Sequence, residues 1–215
     1  SDSIYLNSIV EKIDLEKKIV VVNGVEHSYD SLINTLPLKE FLLLTDNDAY
    51  KTIAKHLHHS SLLAINLGLK RKVSSRQWLY FPEAIYPFYR VGFLSNVLSS
   101  AAPVGKSTMC IEIGLNENIV VDEQLKEYYF QQAVKSLEEL GLIKREDIET
   151  RDVQYSKYAY VVFDQRREQI LKALFPELEA KRVLCCGRFG EWDYLSIDKS
   201  IRSAVTAAGK IVPRL

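Results

Sequence analysis

The chain has 215 residues, enough for one large domain or two small ones. Hydrophobic residues make up 47% and charged residues 26%, a balance that excludes a disordered chain. Lys plus Arg and Asp plus Glu number 28 each, and a net charge of zero argues against nucleic-acid binding and against a polybasic membrane patch.

From the N-terminus, Ser1-Asp2-Ser3 carries no signal-peptide pattern and no initiator Met, and the only methionine is Met109. The expectation is a processed or truncated cytoplasmic product. No apolar run reaches the roughly 18 residues of a membrane span. Ile4 to Val22 reads as strands broken at Glu16-Lys17-Lys18, and Asn23-Gly24 marks a hairpin. Tyr29 to Thr35 reads as a further strand stopping at Pro37. Leu38 to Leu44 and Asp48 to His58 have helical period, the second capped from Asp46-Asn47-Asp48. Long strands follow at Leu62 to Leu69, Gln77 to Phe81, Phe88 to Phe93 and Thr108 to Leu115. Ser-, Ala- and Pro-rich loops between them predict a mostly antiparallel sheet. Asp122 to Leu140 is a helix ended by Gly141. Then come a strand (Val153 to Phe163), a helix (Gln165 to Phe175), a buried strand (Arg182 to Cys186) and an amphipathic helix (Ile197 to Ile211). The class is α+β.

Three features that suggest chemistry have simpler readings. Cys110 and the adjacent Cys185 and Cys186 are odd in number and read as inert core thiols. Gly105-Lys106-Ser107 lacks the glycine a phosphate loop needs five positions earlier, where Ser100 stands, and reads as a turn. His56, His58 and His59 lack ligand spacing, so no metal is expected.

Two segments are more informative. Trp78, Tyr80, Phe88 and Arg90 could project from one sheet face. An arginine within an aromatic run needs a partner, either a bound anion or a structural carboxylate. The second segment, Gly187-Arg188-Phe189-Gly190-Glu191-Trp192-Asp193-Tyr194 and then Leu195 to Asp198, joins a buried strand to a helix. Glycines permit close backbone approach, helix N-terminal amides attract acceptors, and Arg188 can pair with phosphate.

This second segment resembles the C-terminal flavin motif of UDP-galactopyranose mutases, within the wider group of flavin amine oxidase and protoporphyrinogen oxidase-like proteins. Tyr29 to Leu38 is similar to the strand returning to the flavin domain. Trp78 to Glu83 with Phe88 to Val91 is similar to the substrate sheet. The resemblance implies FAD as cofactor, bound by Gly187, Arg188, Tyr194, Ser196 and Ile197. It implies a small-molecule substrate, a sugar nucleotide in the mutase-like version, at Trp78, Tyr80, Phe88, Arg90 and Tyr194. The mutase pattern has Asp at Ser196, Met at Ile197 and Tyr at Trp192, departures that bear on mutase activity more than on the flavin fold. The family's Gly-x-Gly-x-x-Gly is absent from the nine glycines, so the chain resembles the C-terminal part of such a protein.

The expected organisation follows. Residues 1–37 are strands returning to the FAD-binding domain, 38–163 a substrate-binding domain of antiparallel sheet with helices, and 164–215 the C-terminal return, giving partial FAD-binding (Rossmann-type) segments at both ends. The expected function is a fragment of a flavin-dependent oxidoreductase or sugar-nucleotide mutase, inactive without its N-terminal FAD-binding half, with no catalytic residue assigned. The alternative is a non-catalytic glycan- or protein-binding domain using the Trp78–Arg90 surface.

Overall fold

The computed structural model describes residues 4–211, so the reading of Ser1-Asp2-Ser3 lies outside the described residues. In chain order, strands β1 (Val10–Asp14), β2 (Ile19–Val22) and β3 (Val25–Ser28) form an antiparallel meander. Its second turn is the Asn23-Gly24 pair, both residues at positive φ (49° and 78°), as a two-residue hairpin of this hand requires. Strand β4 (Leu32–Asn34) and helices α1 (Leu38–Leu43) and α2 (Asp48–Ala54) follow. Asn47 caps α2, its side chain accepting from the amides of Ala49 and Tyr50.

Next come β5 (His59–Leu69), β6 (Trp78–Tyr80), β7 (Arg90–Gly92), the single-turn α3 (Leu94–Val97), β8 (Ser107–Asn116), α4 (Glu123–Glu139) and β9 (Ile148–Val161). The last elements are α5 (Gln165–Ala180), β10 (Val183–Cys185), the short α6 (Gly187–Gly190) and α7 (Ile197–Ile211). Helices and a largely antiparallel sheet make the class α+β, as expected.

The chain divides into two units, Ser1–His58 with Tyr160–Leu215, and His59–Ala159. The sequence reading divides it at 37/38 and 163/164; in the structure α1 and α2 join the discontinuous unit. Tyr50, buried on α2, shows why: its hydroxyl donates to Glu177 Oε1 of α5 at 2.5 Å.

The central unit is built on the sheet ordered β6-β7-β8-β5-β9. Alternate residues Leu63, Ile65, Leu67 and Leu69 of β5 and Met109, Ile111, Ile113 and Leu115 of β8 form its buried face. Phe130, Ala133, Val134 and Leu137, spaced i, i+3, i+4 and i+7 along α4, belong to the same core. Asp122 accepts from the Leu125 amide to start that helix, and Gly141 at φ 67° ends it.

Two elements extend five residues beyond a predicted boundary. Helix α5 passes through Pro176 because Leu171, Leu174 and Leu178 keep one buried stripe; packing outweighs the one donor that proline lacks. Strand β9 begins at Ile148, five residues early. A Cβ on Gly68 of β5 would lie 2.4 Å from Thr150 Oγ1, so glycine there makes room for the added length of β9.

The parallel pair β10–β4, in register Val183↔Leu32 to Cys185↔Asn34, organises the discontinuous unit. Among the described residues no helix is long and apolar enough to cross a membrane.

Candidate functional site

The Gly187–Asp198 segment takes its shape from the end of β10. After Cys185 the chain enters α6, with Gly187 at φ 78°, a conformation open to glycine. A Cβ on buried Gly190 would lie 2.8 Å from the backbone oxygen of Asn34, so glycine lets α6 pack directly on the end of β4. Arg188 projects from this turn. Its guanidinium carbon lies 4.9 Å from the ring centre of Tyr160, 4.5 Å from that of Tyr194 and 5.7 Å from that of Phe189. At these distances the guanidinium charge lies over the tyrosine rings, and an arginine is also the side chain best suited to forked binding of phosphate.

Arg188, Ser196 and Ile197 line one open groove of about 700 Å³, together with Leu195, Ser200 and Ile201. Its wall is the first two turns of α7. Ile197 is 83% exposed and Ile201 61%, so the wall is bare apolar surface. At the helix start Ser196 Oγ donates to Asp198 Oδ1 at 2.5 Å, and this bond holds the Asp198 carboxyl below the usual carboxylate range. Two other predicted residues sit beside the groove. The Gly187 amide donates to Ser203 Oγ at 2.9 Å, which in turn donates to Glu191. Tyr194 reaches the groove through its stack on Arg188. Tyr160, Ser200 and Ile201 escaped the sequence reading. The helical spacing of 197, 200 and 201 was the available signal for two of them, and Tyr160 offered none.

The aromatic residues of the central unit form a separate surface. Tyr80 pairs with Arg90 and Trp78 with Gly92 across β6 and β7, so these side chains share the sheet face opposite the core. Trp78 is 38% exposed and Tyr80 66%. The Trp78 ring lies on Gly92, where an added Cβ would come within 2.1 Å of it, and under the Arg90 guanidinium at 5.0 Å. Arg90 Nη2 donates to Glu112 Oε1 at 2.5 Å and to Oε2 at 2.6 Å, and the Tyr89 hydroxyl donates to the same Oε2 at 2.5 Å. Burial alone would lower the pKa of Arg90, but its hydrogen bonds to Glu112 and Tyr80 raise it above the ordinary arginine value. Of the two partners the sequence allows for Arg90, the structure supplies the carboxylate.

Phe88 does not share this face. It is 2% exposed and belongs to the core, 5.0 Å from Phe81 and 5.9 Å from Tyr86 between ring centres. The strand that would place it beside Arg90 begins only at Arg90 itself, so period-two alternation does not extend back to it.

The other features singled out in the sequence lie elsewhere in the structure. Lys106 binds Glu149 at 2.6 Å, and its amide closes a turn on Pro103 O. His59 lies on β5 within 3.4 Å of Glu117. Burial pushes the thiols of Cys110 and Cys185 up to about 11.

No family model matches the chain. A reduced UDP-galactopyranose mutase matches it in structure with a TM-score of 0.86 and 26% identity, over 94% of this chain and 46% of the mutase. A protein assigned as a protoporphyrinogen oxidase, from Exiguobacterium sp. 255-15, matches with a TM-score of 0.77 and 12% identity, over 95% of this chain and 46% of that one. A variant of putrescine oxidase matches with a TM-score of 0.69 and 14% identity, over 98% and 50%. The chain therefore spans about half the length of the structures it matches. It shares the fold of that half with UDP-galactopyranose mutase and with the two oxidases, the group that its Gly187–Asp198 segment resembles in sequence.

Proposed function

We propose that the chain is the substrate-domain and C-terminal part of a FAD-dependent oxidoreductase-like enzyme, with FAD held against the Arg188 groove. The observation that carries this reading is the convergence of Arg188, Ser196 and Ile197 on one groove with a bare apolar wall. The donor set suits FAD: a stacked arginine for the pyrophosphate, and a flat apolar helix face, bordered by the first-turn amides of α7, for the ring system. Bound FAD would supply the reactive centre, redox in an oxidase-like enzyme or nucleophilic in a mutase-like one.

The chain's own residues do the rest. Arg188 anchors negative charge, and the Tyr160 and Tyr194 rings fix its direction. Ile197 and Ile201 exclude water from the ring's face. In the central unit Trp78, Tyr80 and Arg90 form the surface for a small-molecule substrate, with Phe88 supporting it from the core. The aromatic rings offer stacking, and the Arg90–Glu112 pair offers fixed polar edges to hydroxyl or phosphate groups. A sugar nucleotide fits both demands and has the mutase likeness behind it.

The test is the visible spectrum of the complete gene product, purified without added cofactor. Retained flavin absorption, perturbed by UDP-galactose, is the expected result. A colourless protein that takes up no FAD sinks the proposal and favours a non-catalytic binding domain at the Trp78–Arg90 surface.

A further inference from the structure

We infer that the end of the central unit formed by residues 70–76 and 91–106 docks on an anionic phospholipid membrane. An apolar loop enters the interface, and a basic rim meets the headgroups. The inference is independent of the flavin reading, since it uses no residue of the Arg188 groove.

Residues 91–105 contain no charged side chain, in a chain where charged residues make up 26%. The segment leaves β7, forms α3 and a 3-10 turn at Ser99–Ala101, and returns into β8. Its aliphatic side chains face outward: Val97 is 57% and Leu98 61% exposed, and Leu94 is also open to solvent. Val104 stands at the apex of the turn closed by the Lys106 amide on Pro103 O, with Gly105 beside it at φ 81°. Turn apexes favour Gly, Asn, Asp and Ser, residues that suit both the backbone and water. Here a fully exposed valine takes that place. Packing does not require it, because Phe93 and Met109 on either side of the loop already fill the core.

Beside this loop runs Lys70-Arg71-Lys72-Val73-Ser74-Ser75-Arg76, four basic residues and no acidic one. Asn96 of α3 ties the two segments together, its Nδ2 donating to Ser74 O at 2.9 Å and to Arg76 O at 2.6 Å. Ser107 Oγ adds a bond to Arg71 O at 2.7 Å. Asp147 neutralises Arg71, whereas Lys70 Nζ donates to a backbone oxygen, that of Glu146. Lys72 and Arg76 are exposed and form no ion pair among the described residues. The net charge of zero argues against a polybasic patch, but it is an average over the chain, and the fold gathers cations at this end.

A projecting apolar tip with basic side chains around it suits an interfacial membrane contact. The aliphatic groups enter the acyl boundary while the cations stay with anionic headgroups. A second copy suits the surface less, since symmetric contact would set one basic rim against the other. Protein partners are anchored mainly by Trp, Tyr or Arg seated in pockets, and this loop offers small aliphatic groups instead.

Flotation of the complete gene product with vesicles of phosphatidylcholine and phosphatidylglycerol tests the inference. The protein should rise with these vesicles, far less with phosphatidylcholine alone, and less as salt is raised. Val104→Asp, at a position with no packing to lose, should weaken binding at least about 10-fold, the worth of burying one aliphatic side chain. Replacing Lys72 or Arg76 with alanine should weaken it about 5-fold each. In Val104→Trp the added indole should shift its emission to the blue with anionic vesicles, which reports entry into the interface. Absence of flotation would overturn the inference. Flotation unchanged by Val104→Asp would also overturn it, because another surface then makes the contact. Self-association that Val104→Asp abolishes, without lipid binding, would overturn it in favour of a second copy.

Discussion

Replacing Glu112 with alanine should destabilise the central unit by about 2–4 kcal/mol, the cost of removing one partner of a mostly buried ion pair, discounted because Arg90 keeps some access to water. Glu112 is buried on β8 and accepts three hydrogen bonds, two from Arg90 and one from the Tyr89 hydroxyl. Alanine leaves the Arg90 charge without its carboxylate beneath the exposed face. Trp78 should lose order with it, because its ring stacks on that guanidinium. Urea unfolding followed by circular dichroism would give the stability change, and Trp78 fluorescence the local one. The double variant Arg90→Met with Glu112→Leu should recover most of the loss, since no charge is then stranded. A Glu112→Ala change below about 0.5 kcal/mol would show that the pair is held for some other reason.

Arg188→Ala should weaken FAD binding by the complete gene product about 10- to 100-fold, the worth of a charge-assisted hydrogen bond in a partly enclosed site. Arg188→Lys should restore little of it. A lysine keeps the charge but not the planar group that stacks on Tyr160 and Tyr194 and forks onto phosphate. Titration by quenching of FAD fluorescence measures both variants. Equal affinity in wild type and Arg188→Ala would place the pyrophosphate elsewhere.

Much of the architecture is legible in the sequence because it is set by local rules. Asn23-Gly24 dictates its hairpin, Asp122 and Gly141 bracket α4, and alternation in β5 and β8 marks the sheet. The cofactor candidates Arg188, Ser196 and Ile197 were legible for a similar reason. They lie within ten residues of each other, so a short motif carries their geometry.

What the sequence hides is set by distant partners. Glu112 meets Arg90 only through the β7–β8 register, 22 residues away. Tyr160 comes to Arg188 from the end of β9. Phe88 and Arg90, two residues apart, would share a face in a regular strand, yet Phe88 is in the core because the strand has not begun. The sequence reading ends a helix at Phe175, and the buried stripe that Leu178 continues carries α5 on through Pro176.

The central claim is that FAD lies against the start of α7. Methyl NMR of the complete gene product, labelled at isoleucine, tests it most directly, because Ile197 and Ile201 line the groove while Ile65, Ile111 and Ile113 lie in the core of the central unit. Adding FAD to the flavin-free protein should shift the Ile197 and Ile201 methyl signals strongly and leave those core signals nearly in place. Shifts confined to other isoleucines, with Ile197 and Ile201 unmoved at saturating FAD, would contradict the account.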